Sequence, residues 1–407
     1  MLNKSNNIKI KSSYNSIARF GLWCLLLSAT ISNAIDVLSI LFVGTSFPEL
    51  RTIVQVITII ITAIMLLSMV KTQWKLMFIS LSLFAGIWYL SALYNSDAAP
   101  FIKENISSFF FEALPYLWVF NYFIQTDIKK QHNIFFQLLY KICRVKLIIA
   151  LLTQFIMFVA PQTDIFHDYM NAANAMLLGL VVLTAKNMSD YHKVLFNDLL
   201  EFTTVLFIII LGSRGGLLCY ASFYILYFWF IADVKKTAIL TLAILTFVFL
   251  YFWGSSIISS FAGSDNRLLS LYSSKELVHD ESRELIAGII FGNIVDHPWG
   301  LGVMADRAIL TSSNEIWEVF YAHNLELEMG INFGYFGLLL SVVLLITIIY
   351  YLHSSYDKYI RMTYLTLVSC SIVKLQVSSS YWRDPMFWAV MGMLLAMVVN
   401  YKYVKIR

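Results

Sequence analysis

Long apolar runs, nearly free of charged side chains and separated by short polar breaks, dominate the sequence from residue 20 to residue 401. A membrane-spanning helix needs about 20 such residues to cross about 30 Å of hydrocarbon. Because a peptide group exposed to lipid has no water to bind, each run is predicted to be an α-helix of one bundle. Twelve spans are predicted, at residues 20–42, 52–70, 76–94, 107–125, 147–160, 171–185, 195–212, 215–232, 237–253, 333–352, 362–377 and 386–401.

The composition supports an all-α integral membrane protein. Apolar residues make up 59% of the 407 positions and charged residues 13%, about half of the roughly 25% typical of a soluble domain. So few charges cannot cover a water-exposed surface, and the whole chain, 1–407, is predicted to be a single membrane domain. The four cysteines fall in or beside apolar runs without C-x-x-C spacing, so no disulfide or metal site is predicted.

Lysine and arginine are distributed unevenly between the two sides of the predicted bundle. If the N-terminus lies inside, most of the 29 basic residues fall in inner segments, as cytoplasmic loops require. Both termini are therefore predicted to be cytoplasmic. The polar stretch before the first run is too long for a cleaved signal peptide, so span one is predicted to be a retained signal anchor.

One connection is much longer than the others. Residues 255–332, between spans nine and ten, form an outer segment of about 78 residues, with enough Trp, Ile and Leu to fold as a small helical lid. Long ordered connections are uncommon and often functional. The outer segments are therefore where candidate chemistry is expected.

The first candidate group is Gly212-Ser213-Arg214-Gly215-Gly216, where span seven turns into span eight. An arginine at this depth costs roughly 3 kcal/mol unless a partner or a water-filled cavity receives it. Gly215 and Gly216 allow close approach, and their N–H groups at a helix start suit an anion. The alternative is a snorkelling arginine at the membrane interface beside a tight turn.

The second group is Arg283 in Asp280-Glu281-Ser282-Arg283-Glu284, followed by His297-Pro298-Trp299-Gly300-Leu301-Gly302. Ser282 or Asp280 is predicted to cap a short helix that runs to about residue 295 and ends before the proline and the two glycines. Arg283 then lies in the first turn of a lid helix. It is interpreted either as an anion ligand or as an ordinary solvated side chain beside Glu284.

The third group is Ala322-His323-Asn324-Leu325-Glu326-Leu327-Glu328-Met329-Gly330. A helix that begins here places His323 and Glu326 on one face, whereas Glu328 points elsewhere. Histidine has an unperturbed pKa of about 6.5, which suits a general base for a sugar hydroxyl. The alternative is a capping or surface histidine.

The fourth group lies at the outer end of span eleven and consists of Lys374, Tyr381, Trp382 and Arg383. Lys374 within a span implies a polar cavity. Tyr381 with Trp382 fits either a sugar-stacking platform or an aromatic belt at the membrane surface. The sequence contains no P-loop, H-E-x-x-H, G-x-S-x-G or outer Asp-x-Asp pair, so any transfer is predicted to need no metal, cofactor or cytoplasmic nucleotide.

Three of these segments resemble motifs of the bacterial O-antigen polymerases and O-antigen ligases, membrane glycosyltransferases that use undecaprenyl-diphosphate-linked glycans. Ser-Arg-Gly-Gly-Leu-Leu at 213–218 resembles the family's arginine at the outer end of a middle helix. Arg283 followed by His-Pro-x-Gly-x-Gly at 297–302 resembles its second arginine. His323-Asn324-x-x-x-Glu328-x-Gly330-x-x-x-Gly334 resembles the third motif. The resemblance extends over residues 200–350 or so.

The resemblance implies an inverting, metal-independent glycosyl transfer on the periplasmic side of the bacterial inner membrane. Arg214 and Arg283 are then expected to bind the diphosphate and stabilise it as it leaves. His323 positions or deprotonates the acceptor hydroxyl, and Glu328 or Glu326 orients it. Further substrate contacts are expected from Gly215, Gly216, Lys374, Tyr381, Trp382 and Arg383. The expected partners are the lipid-linked oligosaccharide, the bilayer, a chain-length regulator and a flippase, and nucleic acid is not among them.

Polymerases and ligases of this kind differ in the acceptor, which is another lipid-linked repeat unit or the lipid A core. The residues after His323 and Ser-Ser-Ser-Tyr-Trp at 378–382 look more like polymerases, so a polymerase of O-antigen or a related polysaccharide is favoured and a ligase is the alternative. A transporter or flippase of a lipid-linked glycan needs neither the His323 motif nor the large loop. The enzyme hypothesis requires Arg214, Arg283 and His323 to converge on one cavity, within about 15 Å of one another.

Overall fold

The computed structural model describes residues 2–43, 48–127, 133–159, 169–189, 194–232, 281–313, 321–355, 357–376 and 379–399. The elements in this part of the chain are helices, which confirms the predicted all-α class. In chain order they are α1 (Leu2–Val43), α2 (Pro48–Tyr94), α3 (Ala99–Ser108), α4 (Leu114–Asp127), α5 (Asn133–Val159), α6 (Tyr169–Ser189), α7 (Leu195–Ile210), α8 (Arg214–Phe230), α9 (Glu281–Asp296), α10 (Ala305–Ser312), α11 (Leu325–Ser354), α12 (Lys358–Cys370), α13 (Ile372–Leu375) and α14 (Pro385–Val399). A π-helical turn, Phe109–Ala113, joins α3 to α4.

Several helices are apolar enough to cross a membrane. Within the described residues, four stretches are also long enough to do so: Ser16–Ser39, Thr52–Tyr94, Ala172–Ser189 and Leu325–Ser354. Gly215–Phe230 and Pro385–Val399 are shorter apolar helices. Their presence supports a multi-pass membrane protein, whereas the count of twelve spans stays a prediction. The predicted span at 237–253 lies outside the described residues.

The prediction of two separate spans at 52–70 and 76–94 is wrong, because α2 is one continuous helix over both. The polar break at 71–75 contains neither glycine nor proline. Its Lys and Gln residues are good helix formers, so nothing in it ends the helix. The assignment of basic residues to the inner and outer sides assumed that the chain turns at this break. The cytoplasmic location of the termini and the sides of the later segments therefore stay predictions.

The chain divides into two compact units. Unit 1 comprises Met1–Trp74 and Tyr122–Leu217, and unit 2 comprises Lys75–Asn121 and Leu218–Arg407. In unit 1, α5 packs against α1, α6 and α7. Its face at positions 139, 143, 147 and 150 is buried at helical spacing, as expected for a helix packed against its neighbours.

Unit 1 also contains a polar network between α6 and α7. The Glu201 carboxylate accepts hydrogen bonds from the Thr184 hydroxyl and from the side-chain amide of Asn187, both at 2.8 Å. Asn197 donates to Asn187 at 3.2 Å and to the Tyr140 hydroxyl at 3.0 Å. These bonds supply the partners that an acid within an apolar helix requires, so Glu201 has a structural explanation.

The core of unit 2 is rich in aromatic rings. Trp88 of α2 stacks on Phe109 of the π-helical turn, with ring centroids 5.2 Å apart. Trp382, which precedes α14, meets both rings edge-on at 5.4 and 5.2 Å, and Trp388 of α14 meets Phe109 at 5.2 Å. Edge-to-face and offset packing are the favoured arrangements of such rings. This aromatic cluster fixes the start of α14 against α2.

The predicted outer loop, 255–332, is described at residues 281–313 and 321–332. Within that part α9 and α10 are helices, as a helical lid requires, and α11 begins at Leu325. The location of this segment outside the membrane stays a prediction.

Candidate functional site

The segments that carry the second and third motifs meet in one apolar core of unit 2. Isoleucines at positions 286, 290 and 294 form a stripe along α9, since residues four apart lie on the same helix face. This stripe packs on α10, on the residue before His323 and on α11. The buried members of the core are Ile286, Ile290, Ile294, Ala305, Leu310, Ala322 and Ile331. Residues more than 30 positions apart in sequence are therefore neighbours here.

Arg283 lies in the first turn of α9, as predicted, and its side chain is exposed. It precedes Ile286 by three positions and Ile290 by seven, so it shares the helix face of the buried stripe. That face packs toward Ala322 and α11. Arg283 thus occupies the exposed end of the face that meets the His323 segment.

The His297–Gly302 segment runs along a break in α11. At Gly334 the backbone of α11 leaves helical geometry, with φ 64° and ψ −148°. Three backbone hydrogen bonds join the segments: Leu301 N–H to Ile331 O (2.8 Å), Gly302 N–H to Asn332 O (3.0 Å) and Tyr335 N–H to Pro298 O (2.9 Å). These bonds use backbone groups that the broken helix leaves without helical partners.

Glycine is required on both sides of this contact. Gly300 has φ 82°, and a Cβ there would lie 2.5 Å from both the Asn332 oxygen and the Gly334 nitrogen. A Cβ at Gly334 would overlap the carbonyl of Pro298. Only glycine tolerates this φ and this approach. The His-Pro-x-Gly-x-Gly sequence and Gly334 of the third motif are therefore two sides of one backbone contact.

The end of α2 holds the same segment from its other side. The side-chain amide of Asn95 donates to the Leu301 carbonyl at 3.1 Å, and Val303 N–H donates to the Ser91 hydroxyl at 3.0 Å. Gly302, with φ 87°, lies where a Cβ would come within 2.9 Å of Ser91. The loop that follows α9 is thus hydrogen-bonded to both α2 and α11.

His323 lies immediately before α11 and outside the helix. Its backbone is left-handed, with φ 53°, and Asn324 is the N-cap, whose side chain accepts the N–H of Leu327 at 3.0 Å. The expectation that His323 and Glu326 share a helix face is therefore wrong, because it requires a helical His323. The half-buried imidazole packs against the ring of Tyr321, with centroids 4.1 Å apart and planes tilted by 36°.

Glu328 has its own partners deep in unit 2. Its side chain is 2% exposed. The carboxylate accepts hydrogen bonds from the Ser380 hydroxyl and, at 3.1 Å, from the backbone N–H of Tyr381. Glu328 thereby attaches α11 to the turn that precedes α14, which is a structural role beside the orienting role that the resemblance implies.

Glu326 belongs to a separate network around the helix start. It is half-buried and accepts a hydrogen bond from the side-chain amide of Gln376 at 3.0 Å. Gln376 accepts in turn from the side chain of Asn324 at 3.1 Å. The network connects Asn324, the residue next to His323, with the end of α13. The orienting role of Glu326 stays a prediction.

Lys374 forms an ion pair with Asp384. Its ammonium donates to Asp384 Oδ2 at 2.8 Å, and the side chains are 17% and 0% exposed. The other carboxylate oxygen accepts the N–H groups of Met386 and Phe387, at 2.8 and 3.0 Å, and so caps α14. The polar surroundings that a lysine in an apolar helix needs are supplied by Asp384.

Tyr381 and Trp382 are buried, with 3% and 1% exposure. The Tyr381 hydroxyl accepts from the side-chain amide of Asn332 at 2.9 Å, and Trp382 belongs to the aromatic cluster. Burial and the Glu328 carboxylate raise the pKa of Tyr381 well above its ordinary value. A sugar platform and a membrane belt both require exposed rings, so these two residues are corrected to core residues. Arg383 beside them is exposed.

Arg214 is the first residue of α8 and follows a tight turn at Gly212, where φ is 68°. The N–H of Gly216, which was predicted to suit an anion, donates to the Ser213 hydroxyl at 3.3 Å. Ser213 therefore acts as a helix cap here. Arg214 lies in unit 1, and Arg283 and His323 lie in unit 2, so the convergence of all three residues stays a prediction.

Two buried charged residues of α10, Asp306 and Arg307, were not among the predicted site residues. Asp306 Oδ2 accepts the N–H of Ala322 at 3.1 Å. The Arg307 guanidinium lies over the ring of Tyr321, 6.0 Å from its centroid. The sequence contained one signal for them, an adjacent Asp and Arg within the otherwise apolar stretch 303–310.

Within the described ranges, no three His, Cys, Asp or Glu side chains are grouped to hold a metal ion. The four cysteines are free, and three of them are buried. Metal independence of the transfer stays a prediction.

Part of the chain matches a known protein family. Residues 199–342 match the family model described as O-Antigen ligase. No curated protein and no solved structure matches the chain. The matched segment contains all three motifs, which confirms the resemblance to the O-antigen polymerases and ligases.

Proposed function

We propose that this chain, whose residues 199–342 carry an O-antigen ligase family domain, is an integral membrane glycosyltransferase that polymerises undecaprenyl-diphosphate-linked repeat units on the periplasmic side of the inner membrane. The observation that carries the proposal is the packing of the Arg283 helix and the His323 segment into one core. Glycosyl transfer needs a group that meets the charge of the leaving diphosphate and a group that takes the proton of the attacking hydroxyl. These two segments supply one of each.

In the proposed reaction, the acceptor hydroxyl attacks the anomeric carbon of the donor glycan. His323 takes the hydroxyl proton, the new glycosidic C–O bond forms, and the bond to the diphosphate oxygen breaks with its electron pair on that oxygen. Attack opposite the leaving group inverts the anomeric carbon. Arg283 and Arg214 bind the departing diphosphate, because a planar guanidinium offers paired hydrogen bonds to phosphate oxygens.

The choice of acceptor rests on two segments. The residues after His323 and those at 378–382 resemble polymerases, and Glu328 joins the two segments through Ser380 and Tyr381. It is the resemblance of these segments to polymerases that favours another lipid-linked repeat unit as the acceptor. A ligase with the lipid A core as acceptor is the second candidate, because the matched family model is described as O-Antigen ligase.

The glycan profile of a deletion strain tests the proposal. The strain is complemented with wild type, Arg283→Ala, His323→Ala or Lys103→Ala, the last a matched control in which an exposed cation is removed from α3. We expect full-length polysaccharide from wild type and Lys103→Ala, and a single repeat unit on lipid A from the other two. Lipid-linked polymer with an unmodified core indicates the ligase instead.

Two further results decide between enzyme and transporter. Purified protein that extends a lipid-linked repeat unit in vitro excludes a pure transporter. Full-length polysaccharide from both Arg283→Ala and His323→Ala would overturn the enzyme proposal, since neither leaving-group stabilisation nor the general base would then be needed.

A further inference from the structure

Two charged side chains in the first turn of α10 have no role in the transfer as proposed. Asp306 is 0% exposed and Arg307 is 6% exposed. Charged residues are almost never fully buried unless they are paired or functional, because leaving water is costly. Their position therefore calls for an explanation in terms of what they contact.

Asp306 holds the backbone next to His323. Its Oδ2 accepts the N–H of Ala322, the preceding residue, at 3.1 Å. Its Oδ1 is buried and has no hydrogen-bond partner among the described residues. Because a buried acceptor without a partner is unfavourable, Asp306 is not explained by the packing of α10 alone.

Arg307 acts on the ring that packs against His323. Its guanidinium carbon lies 6.0 Å from the centroid of Tyr321, a cation–π distance, and its guanidinium contacts the Met304 sulfur. Tyr321 packs against the imidazole of His323, with centroids 4.1 Å apart. The Tyr321 hydroxyl accepts the N–H of Ser379 at 2.8 Å. The Tyr321 ring thus contacts both Arg307 and His323, and its hydroxyl is bonded to Ser379.

The backbone of His323 depends on such support. Its φ of 53° is uncommon for any residue except glycine and persists where the surroundings hold it. Asp306 fixes the residue before it, and Asn324 is fixed after it as the N-cap of α11. The position of the imidazole is therefore set by contacts on both sides.

We infer that Asp306, Arg307 and Tyr321 are positioning residues for His323. Asp306 fixes the backbone through the Ala322 amide, and Arg307 fixes the Tyr321 ring on which the imidazole packs, so that the imidazole meets the acceptor hydroxyl in one orientation. A displacement of about 1 Å at a reacting group lowers a rate by about 100-fold. The inference rests on the proposed function, because it assigns these residues to the same proton transfer.

The test separates turnover from substrate binding. Wild type, Asp306→Ala, Asp306→Asn, Tyr321→Leu and Tyr321→Phe are purified in detergent and assayed with a lipid-diphosphate-linked repeat unit. We expect Asp306→Ala and Tyr321→Leu to lower kcat about 10- to 100-fold with KM within about twofold of wild type. Asp306→Asn keeps the acceptor for Ala322 N–H, and Tyr321→Phe keeps the ring. Both should therefore retain most of the turnover.

A second readout does not depend on activity. Modification of histidines by diethyl pyrocarbonate, followed by mass spectrometry, reports how well each imidazole is held and covered. Asp306→Ala and Tyr321→Leu should raise the modification rate of His323 severalfold, whereas exposed His297 should react at the wild-type rate in every variant. If one of these variants fails to fold, the other one still decides the question.

The outcomes distinguish the two proposals. Wild-type turnover in His323→Ala overturns the general-base role in the proposed function and this inference with it. An inactive His323→Ala together with wild-type turnover in both Asp306→Ala and Tyr321→Leu overturns the inference alone. Equal losses in the alanine, asparagine, leucine and phenylalanine variants also overturn it, because rescue by the conservative variants is what a positioning role requires.

Discussion

The N–H of Tyr335 donates a hydrogen bond to the carbonyl of Pro298 at 2.9 Å, across the break in α11. Pro298 belongs to the His-Pro-x-Gly-x-Gly sequence, and Tyr335 follows Gly334, the last glycine of the third motif. The bond therefore joins two motifs that lie more than 30 residues apart in the chain. It also fixes where α9 ends relative to the helix that begins after His323.

The first prediction concerns Gly334→Ala. The new Cβ would overlap the Pro298 carbonyl, and the alanine would have to keep the backbone φ of 64°. The break in α11 must therefore shift. We expect the free energy of unfolding to fall by about 2 kcal/mol or more, as for other strained backbone substitutions. Thermal unfolding of the purified protein in detergent measures the change.

The matched control for this substitution is Gly288→Ala. Gly288 lies in α9, and a Cβ there has no neighbour within 4 Å. Alanine in a helix interior is more favourable than glycine by about 0.5 to 1 kcal/mol, so this variant should be as stable as wild type or more so. An equal loss of stability in both variants would contradict the interlocked geometry of the two motifs.

The helices were largely predictable, because an apolar run of about 20 residues in lipid must satisfy its own backbone hydrogen bonds, which an α-helix does within the run. The break at 71–75 was predicted as a turn from its charge, although its residues favour a helix and α2 continues through it. Polarity alone therefore misplaced one boundary. The helix propensity of residues 71–75 instead favours the continuous helix that is observed.

The site was predictable in its parts and not in its contacts. The start of α11 was readable, since Asn324 is a preferred N-cap residue, but the left-handed His323 before it was not. Tyr381 and Trp382 were predicted to form a platform or a belt, and a buried core uses the same residue types. The ring of Trp382 packs on Trp88 and Phe109, which are distant in sequence.

The second prediction concerns Glu328→Ala. The Ser380 hydroxyl and the Tyr381 N–H would both lose their buried acceptor. A buried polar group without a partner costs about 1 to 3 kcal/mol, so a clear drop in the unfolding temperature is expected. Glu326→Gln is the control, because the Glu326 side chain is only half-buried and accepts from Gln376. This variant should lose less stability than Glu328→Ala. Unchanged stability in Glu328→Ala would leave only an orienting role for this residue.

The third prediction concerns Arg283→Ala and Arg283→Lys. Because the side chain is exposed, both variants should unfold within about 0.5 kcal/mol of wild type. Polysaccharide should be lost with alanine and reduced with lysine, since an ammonium keeps the charge without the paired hydrogen bonds to phosphate. Glycan ladders measure the loss of polysaccharide, and unfolding curves of the same variants measure the stability. A destabilised Arg283→Ala would show that the arginine supports the fold of α9.

The last prediction concerns the Lys374 and Asp384 pair, and it separates a structural lysine from a substrate-binding one. Lys374→Met leaves the fully buried Asp384 carboxylate without its counter-ion, which should lower stability by about 3 to 5 kcal/mol. Adding Asp384→Asn removes the second charge and keeps a side chain that can cap α14 at Met386 and Phe387. The double variant should therefore regain most of the lost stability.

Turnover of the same double variant decides the role of Lys374. In the structure its charge is already satisfied by Asp384, so we expect glycosyl transfer to return together with the fold. The measurement is the rate with a lipid-diphosphate-linked repeat unit, made on protein whose unfolding temperature has recovered. A folded double variant without turnover would contradict this expectation, because it would mean that the ammonium also meets the substrate, as the resemblance implies for Lys374.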